Sequence, residues 1–323
     1  MARSFGGIDL GGTKIQAVIV DDDHKPLGSA RRPTPTEGGP ADVASEMEHA
    51  LRDAAKAADI EPSKLGGVGV GSPGVIAEGN VTSARNLPGW EGSFPLAKKL
   101  EAALGCPVAL GNDVQVATDA EFSLGAGRLY DSLLGVFWGT GVGGGLILDR
   151  RPWTGRGGAG EIGHVVVEMD GARCTCGRRG CMEAYAGRGA MEIYARKLHK
   201  DKGRKTDLFK LMKEHERTRL TSGIWARALE KHDKLATEIL DRAVKALGAG
   251  IASVVNVLDV EGVVIGGGLG VRLGHPFAKR IAEEMQPHLF DDAHPPHVHV
   301  AALGDLGGAI GASLLLDPDS PAS

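Results

Sequence analysis

The chain has 323 residues, enough for about two domains with cores of their own and no need of disulfide staples. Its 37 Lys and Arg against 41 Asp and Glu leave a net charge of −4, so it has no general attraction for nucleic acid or an anionic membrane. Its 3 Tyr, 7 Phe and 4 Trp are too few for base-stacking platforms, while glycine, at 49 residues, is roughly twice ordinary usage.

In chain order, Phe5–Val20 reads as strand, glycine turn, strand, and Asp22-Asp23 as the next turn. A polar passage over 31–40 precedes a helix over Ala41–Ala58, rich in Ala, Glu and Met. Leu65–Val70 is a strand entering Gly-Ser-Pro-Gly, and Pro95–Leu104 is a helix. Pro107–Leu110 is a buried strand ending at Gly111-Asn112-Asp113, with a helix over Val114–Leu124 after it. Leu133–Trp138 is a strand, GTGVGGG a turn and Leu146–Leu148 a strand. Helices follow over Glu183–His199 and Leu235–Val257, with a charged, irregular stretch (200–233) between them. Glu261–Ile265 is a strand with GGGLG as its exit, Pro276–Met285 a helix, Val298–Ala301 a strand, and Leu306–Leu316 a closing helix of small residues.

This alternation predicts an α/β fold. A smaller N-terminal domain (1–112) and a larger one (113–304) are expected, with the C-terminal helix (305–323) able to pack back on the first. No run approaches the 18 or so apolar residues of a membrane span, and the opening MARSFGGIDLGGTK is broken by Gly and Asp as no signal peptide is. Four Cys, three of them within eight positions, are not a disulfide framework, so a cytoplasmic location is expected.

Three glycine turns carry chemistry. In Asp9-Leu10-Gly11-Gly12-Thr13-Lys14, the bare glycines let backbone N–H groups close on a phosphate, and the Thr13 hydroxyl and Lys14 ammonium add donors. A carboxylate such as Asp9 repels polyphosphate unless a divalent cation lies between them, which points to a magnesium nucleotide. The second turn holds Gly139, Thr140 and Gly141, and the third Gly267 and Gly268. Any one of them reads equally well as a ligand-free turn; three, each directly after an apolar strand, favour binding. Gly-x-Gly-x-x-Gly occurs at Gly69/Gly71/Gly74 and at Gly139/Gly141/Gly144, but strands follow both, against a dinucleotide fold.

Cys174-x-Cys176-x4-Cys181, with His164 ten residues upstream, is the ligand set of a closed Cys3His zinc site. A disulfide between residues as near as Cys174 and Cys176 is strained, and a metal-free set of buried cysteines is the other alternative. Cys106 reads as a core residue. The basic stretch from Arg196 to Arg219 reads as solvated helix faces, so no nucleic-acid partner is expected.

DLGGTK, GTGVGGG and VIGGGLG look like the two phosphate segments and the adenosine segment of the sugar kinase–actin–Hsp70 ATPase superfamily. GEIGH (160–164) with CTCGRRGCMEAY (174–185) resembles the ROK family of bacterial sugar kinases and repressors, in particular its glucokinase-like kinases. The resemblance runs from Asp9 to the last helix. It implies two ribonuclease-H-like (actin-like ATPase) domains with an interdomain cleft, ATP with Mg2+ as donor and glucose as acceptor. It implies Asp113 as general base, and Gly74, Asn86, Asn112, Asp113, Glu161, His164 and Glu183 as the sugar-binding set. Asp9, which meets the magnesium indirectly, Gly11, Gly12, Thr13, Lys14, Gly139, Thr140, Gly141, Gly267 and Gly268 become the nucleotide set. His164, Cys174, Cys176 and Cys181 hold a structural zinc, and a homodimer or homotetramer is expected.

From the residues alone, Asp113 also reads as a helix N-cap and Glu183 as a first-turn acid. N-acetylglucosamine, N-acetylmannosamine, mannose or fructose as acceptor, polyphosphate as donor, and a non-catalytic sugar-sensing regulator stay open. Trp138 stands where the family pattern has an aliphatic residue.

Overall fold

The computed structural model describes residues 3–84 and 87–316, so Asn86 and the chain beyond 316 lie outside the described residues. The first elements are β1 (Phe5–Leu10), β2 (Lys14–Val20), β3 (Pro26–Pro33), α1 (Pro40–Ala57), β4 (Val68–Ser72), a small hairpin of β5 (Val75–Ala77) and β6 (Asn80–Thr82), α2 (Leu96–Leu104), β7 (Val108–Asn112) and α3 (Asp113–Ser123). Then come β8 (Leu133–Trp138), β9 (Val142–Leu148), β10 (Arg151–Pro152), α4 (Glu183–Ala186), α5 (Arg188–Lys202), α6 (Leu208–Glu214), α7 (Ser222–Glu230) and α8 (Lys234–Leu258). The chain closes with β11 (Gly262–Gly266), α9 (Gly267–Met285), β12 (His297–Val300) and α10 (Gly307–Ser313).

Two five-stranded sheets share one plan. The first has the order β3-β2-β1-β4-β7, antiparallel from β3 to β1 and parallel from β1 to β7. The second has the order β10-β9-β8-β11-β12, with β8, β11 and β12 parallel. In each, a hairpin precedes strands that return by helical crossovers, the connection that parallel neighbours require.

The pleat of β1 sorts its side chains. Ile8 and Leu10 join a core with Met47 and Leu51 of α1 and Leu96 and Leu100 of α2. The alternate residues Phe5, Gly7 and Asp9 point to the opposite face, where Phe5 packs with Ala309 and Ile310 of α10. Gly7 and its parallel neighbour Gly69 let α10 lie directly on the sheet: a Cβ on Gly7 would sit 1.9 Å from Ala309 O, and one on Gly69 1.6 Å from Ala312 O. The small residues of α10 serve that contact.

The chain divides into two units, Met1–Asp131 with Gly145–Ala159 and Ala302–Ser323, and Ser132–Gly144 with Gly160–Ala301. This corrects the expected break at 112/113. α3 stays with the first unit because α10 packs on it backbone to backbone, a Cβ on Gly311 falling 1.9 Å from Val116 O. The side chain of Gln115 also donates to Leu146 O (3.1 Å) and accepts from Leu146 N (3.1 Å). The closing helix packs on β1, β4 and α3 of the same unit.

Other departures are local. GTGVGGG is a turn only over 139–141, because β9 begins at Val142, and GGGLG opens α9 rather than a loop. The stretch 200–233 contains α6 and α7, and the helix expected over 183–199 breaks at Gly187. Among the described residues no helix is long and apolar enough to cross a membrane.

Candidate active site

In the first unit, polar residues gather at the carboxyl ends of the parallel strands, where open α/β sheets bind ligands. Asp9 pairs in register with Gly71, and Ser72 with Asn112. A Cβ on Gly71 would touch Asp113 Cα at 3.4 Å, so Asp9 and Asp113 flank the same glycine. The N-cap of α3 is Asn112 rather than Asp113: its Oδ1 accepts from Val114 N (3.1 Å) and Gln115 N (3.2 Å). That leaves the Asn112 amide N–H groups, which are donors, for a ligand. Asp113 is the first helical residue, its Oδ1 accepting from Val114 N at 3.0 Å. Gly74 follows Ser72-Pro73 at φ +96°, beside Thr82 O.

The β1–β2 turn presents Gly12 and Thr13 to solvent. Gly11 N donates to Lys14 O (2.9 Å), and the buried Thr34 donates its hydroxyl to Gly11 O (2.6 Å). Burial pushes the Asp9 carboxyl above its usual range, and the Lys14 ammonium only partly offsets this. Its neighbour from α10 is Gly308, whose added Cβ would lie 2.8 Å from Asp9 Cγ. A desolvated carboxylate with one nearby ammonium fits a role beside a divalent cation.

In the second unit, the turn after β8 is closed by Gly139 N donating to Gly141 O (2.9 Å). The fully buried Trp138 donates its indole N–H to Ala186 O (2.7 Å), which ties this turn to the end of α4. Gly267, at φ +77°, passes so close that a Cβ would lie 2.6 Å from Trp138 O. Thr140 accepts from Arg188 Nη2 at 2.8 Å, and Arg188 Nη1 donates to Ser222 Oγ at 3.0 Å. Gly268 lies beside the same Ser222.

The four ligand atoms of His164, Cys174, Cys176 and Cys181 all lie within 4.8 Å of one another. Cys176 Sγ and Cys181 Sγ are 3.8 Å apart, and Cys174 Sγ is 3.8 Å from His164 Nδ1. A tetrahedral zinc with Zn–S bonds of about 2.3 Å spaces its sulfurs by about 3.8 Å, whereas a disulfide needs about 2.05 Å. The set therefore fits zinc. Burial, the Cys176 thiol and the Glu183 carboxylate push the Cys174 thiol up to about 12, so a ligating thiolate there needs a cation's charge. With Nδ1 turned to the sulfurs, His164 faces Glu161 with Nε2, 3.8 Å from Oε2. Glu161 itself is exposed. Glu183 accepts from Val142 N through Oε2 (3.0 Å) and from the Thr175 hydroxyl through Oε1 (3.2 Å). The loop is braced by Tyr185, whose hydroxyl accepts from Ala172 N (2.6 Å).

A model of the ROK family matches residues 5–318. The chain belongs to the ROK family. It is 34% identical over 287 residues to the glucokinase of Thermotoga maritima, covering 87% of this chain and 88% of that one. It is 32% identical over 320 residues to the N-acetylmannosamine kinase of Salmonella typhi, covering 97% and 98%. The crystal structure of a ROK family glucokinase from Streptomyces griseus in complex with glucose and AMPPNP is 29% identical. It matches with a TM-score of 0.83 over 98% of this chain and 99% of that one.

This ROK chain is thus a sugar kinase on the actin-like ATPase fold. Its first unit carries Asp9, Gly11, Gly12, Thr13, Lys14, Gly74, Asn112 and Asp113. Its second carries Gly139, Thr140, Gly141, Glu161, His164, Glu183, Gly267, Gly268 and the cysteines. Thr34 and Arg188 lie in no motif read from the sequence, and Tyr185, the last residue of CTCGRRGCMEAY, carried no assigned role. Sequence reasoning also left Trp138 without a role, which the hydrogen bond to Ala186 O supplies.

Proposed function

We propose that this sugar kinase transfers the terminal phosphoryl group of ATP to the 6-hydroxyl of a hexose, with glucose the preferred acceptor. The observation that carries the reading is the pair Asp9 and Asp113 on either side of Gly71, at the carboxyl ends of β1, β4 and β7. The Asp113 carboxylate takes the hydroxyl proton while the sugar oxygen bonds to the γ-phosphorus, the bridging P–O bond breaks and ADP leaves. In the first unit the glycine turn with Thr13 and Lys14 binds phosphate oxygens, and Asn112 with the loop at Gly74 contacts the sugar; Glu161, His164 and Glu183 are the second unit's sugar-binding candidates. Mg2+ arriving with the nucleotide would neutralise phosphate charge near Asp9.

His164, Cys174, Cys176 and Cys181 would hold zinc as a closed, structural site that fixes the loop bearing Glu161 and the start of α4 bearing Glu183. The similarity to glucokinases supports glucose, and the similarity to an N-acetylmannosamine kinase supports N-acetylated hexoses as the second reading. A homodimer or homotetramer in the cytoplasm belongs to the same reading, and sedimentation checks the assembly. A coupled ADP-release assay with ATP against glucose, mannose, fructose, N-acetylglucosamine and N-acetylmannosamine ranks the acceptors by kcat/KM. Sugar binding without ADP formation for every acceptor would make the chain a sensor instead of a kinase.

A further inference from the structure

Arg188 is a partly buried cation that, among the described residues, forms no ion pair with a carboxylate. The nearest acid on its helix, Glu192, is spent elsewhere: Arg196 bonds its Oε1 at 2.6 Å, while Leu220 N (2.9 Å) and Arg219 (3.7 Å) engage Oε2. Among the described residues no carboxylate lies within ion-pair distance of Arg188 itself, whose guanidinium donates to the hydroxyls of Thr140 and Ser222. Burial and then the neighbouring Arg219 hold its pKa below the usual guanidinium value, and the Glu192 carboxylate offsets them only in part. A guanidinium has five N–H donors, so several stay available here. Holding such a charge partly out of water on neutral hydroxyls is costly, and an anion in the site lowers the cost.

Its position says which anion. Arg188 N donates to Gly139 O (3.1 Å), Gly189 N to Thr140 O (3.0 Å), and Ser222, which shares the guanidinium, borders Gly268. The guanidinium thus meets the Thr140 segment directly and the Gly268 segment through Ser222.

We infer that Arg188 is a nucleotide-binding residue that holds the diphosphate of the donor, the part retained in ADP. This rests on the nucleotide reading of those segments given above. Arg219, which also engages Glu192 at 3.7 Å, adds positive potential at Arg188.

The test is titration calorimetry of the full-length zinc-loaded protein with ADP and with adenosine, for the wild type, Arg188→Gln and Arg188→Lys. A hydrogen-bonded charge contact corresponds to roughly a tenfold or larger loss of ADP affinity in Arg188→Gln, with adenosine affinity within about twofold of wild type. Arg188→Lys, which keeps the charge without the fork, should recover part of the loss. Equal weakening of both ligands would show that Arg188 only staples Thr140 to Ser222, and unchanged ADP affinity would remove it from the site; either overturns the inference. A wild type that binds ADP yet phosphorylates no sugar would instead overturn the kinase reading and leave this one standing.

Discussion

The seating of α10 on the first sheet is open to a single-methyl test. In Gly69→Ala the new Cβ would lie 1.6 Å from Ala312 O and 2.5 Å from Ala312 C. A carbon normally keeps about 3.3 Å from a carbonyl oxygen, so the helix must retreat by about 1.7 Å. Both offending atoms are backbone, so no rotamer change relieves them. The upper end of the overpacking range, about 3 kcal/mol, is the appropriate cost. For a unit of this size that lowers Tm by roughly 6–12 °C. Gly92→Ala is the control, because nothing lies within 4 Å of its added Cβ, and it should stay within about 0.5 kcal/mol of wild type. Differential scanning calorimetry on the two variants reads the difference. Because Gly308 of the same helix abuts Asp9, KM for ATP should rise in Gly69→Ala as well. A Gly69→Ala protein melting within about 2 °C of wild type would refute the close backbone contact on which the Asp9 environment is built.

Asp113→Asn should keep glucose binding, measured by calorimetry, while kcat falls by about 10²–10⁴; near-normal turnover would take Asp113 out of the proton transfer. Cys176→Ser should lose zinc by elemental analysis and lower Tm together, and stoichiometric zinc in the variant would exclude the Cys3His assignment. Buried Asp119, bonded by Gln115 Nε2 (2.6 Å), has its carboxyl pushed up to about 7 by burial, which outweighs the Gln115 bond. Its folded pKa thus lies above the unfolded value of about 3.9, so its contribution to stability is full below about pH 4 and is lost as pH rises to about 7. Asp119→Asn should flatten the urea-midpoint profile across that window, and an unchanged slope would show that Asp119 ionises normally.

The strands and the long helices were legible because their apolar periods are strong: β1, β2 and α8 lie where the pattern puts them. The glycine runs were not fully legible, because glycine serves two purposes that look alike in a sequence. Gly139–Gly141 turn the chain, whereas Gly144 and Gly145 continue β9 and are bare because Ile162 and Thr118 approach within 2.7 and 2.2 Å of an added Cβ. The boundary at 112/113 misled because α3 buries Gln115, Val116, Thr118, Asp119 and Glu121 alike, a helix surrounded by protein that shows no polar face to mark an edge. The cysteine cluster was legible in full, since ligand spacing survives as geometry. Arg188 was not, because an arginine lacking its carboxylate is visible only once Glu192 is seen to be occupied.

The grip of Val142 N and the Thr175 hydroxyl on Glu183 has a practical consequence. Any kinetic defect from truncating that side chain mixes two causes, a lost ligand contact and the untying of two loops at once. Replacement by glutamine, whose carbonyl can still receive the Val142 amide while its charge is gone, separates them; replacement by alanine does not.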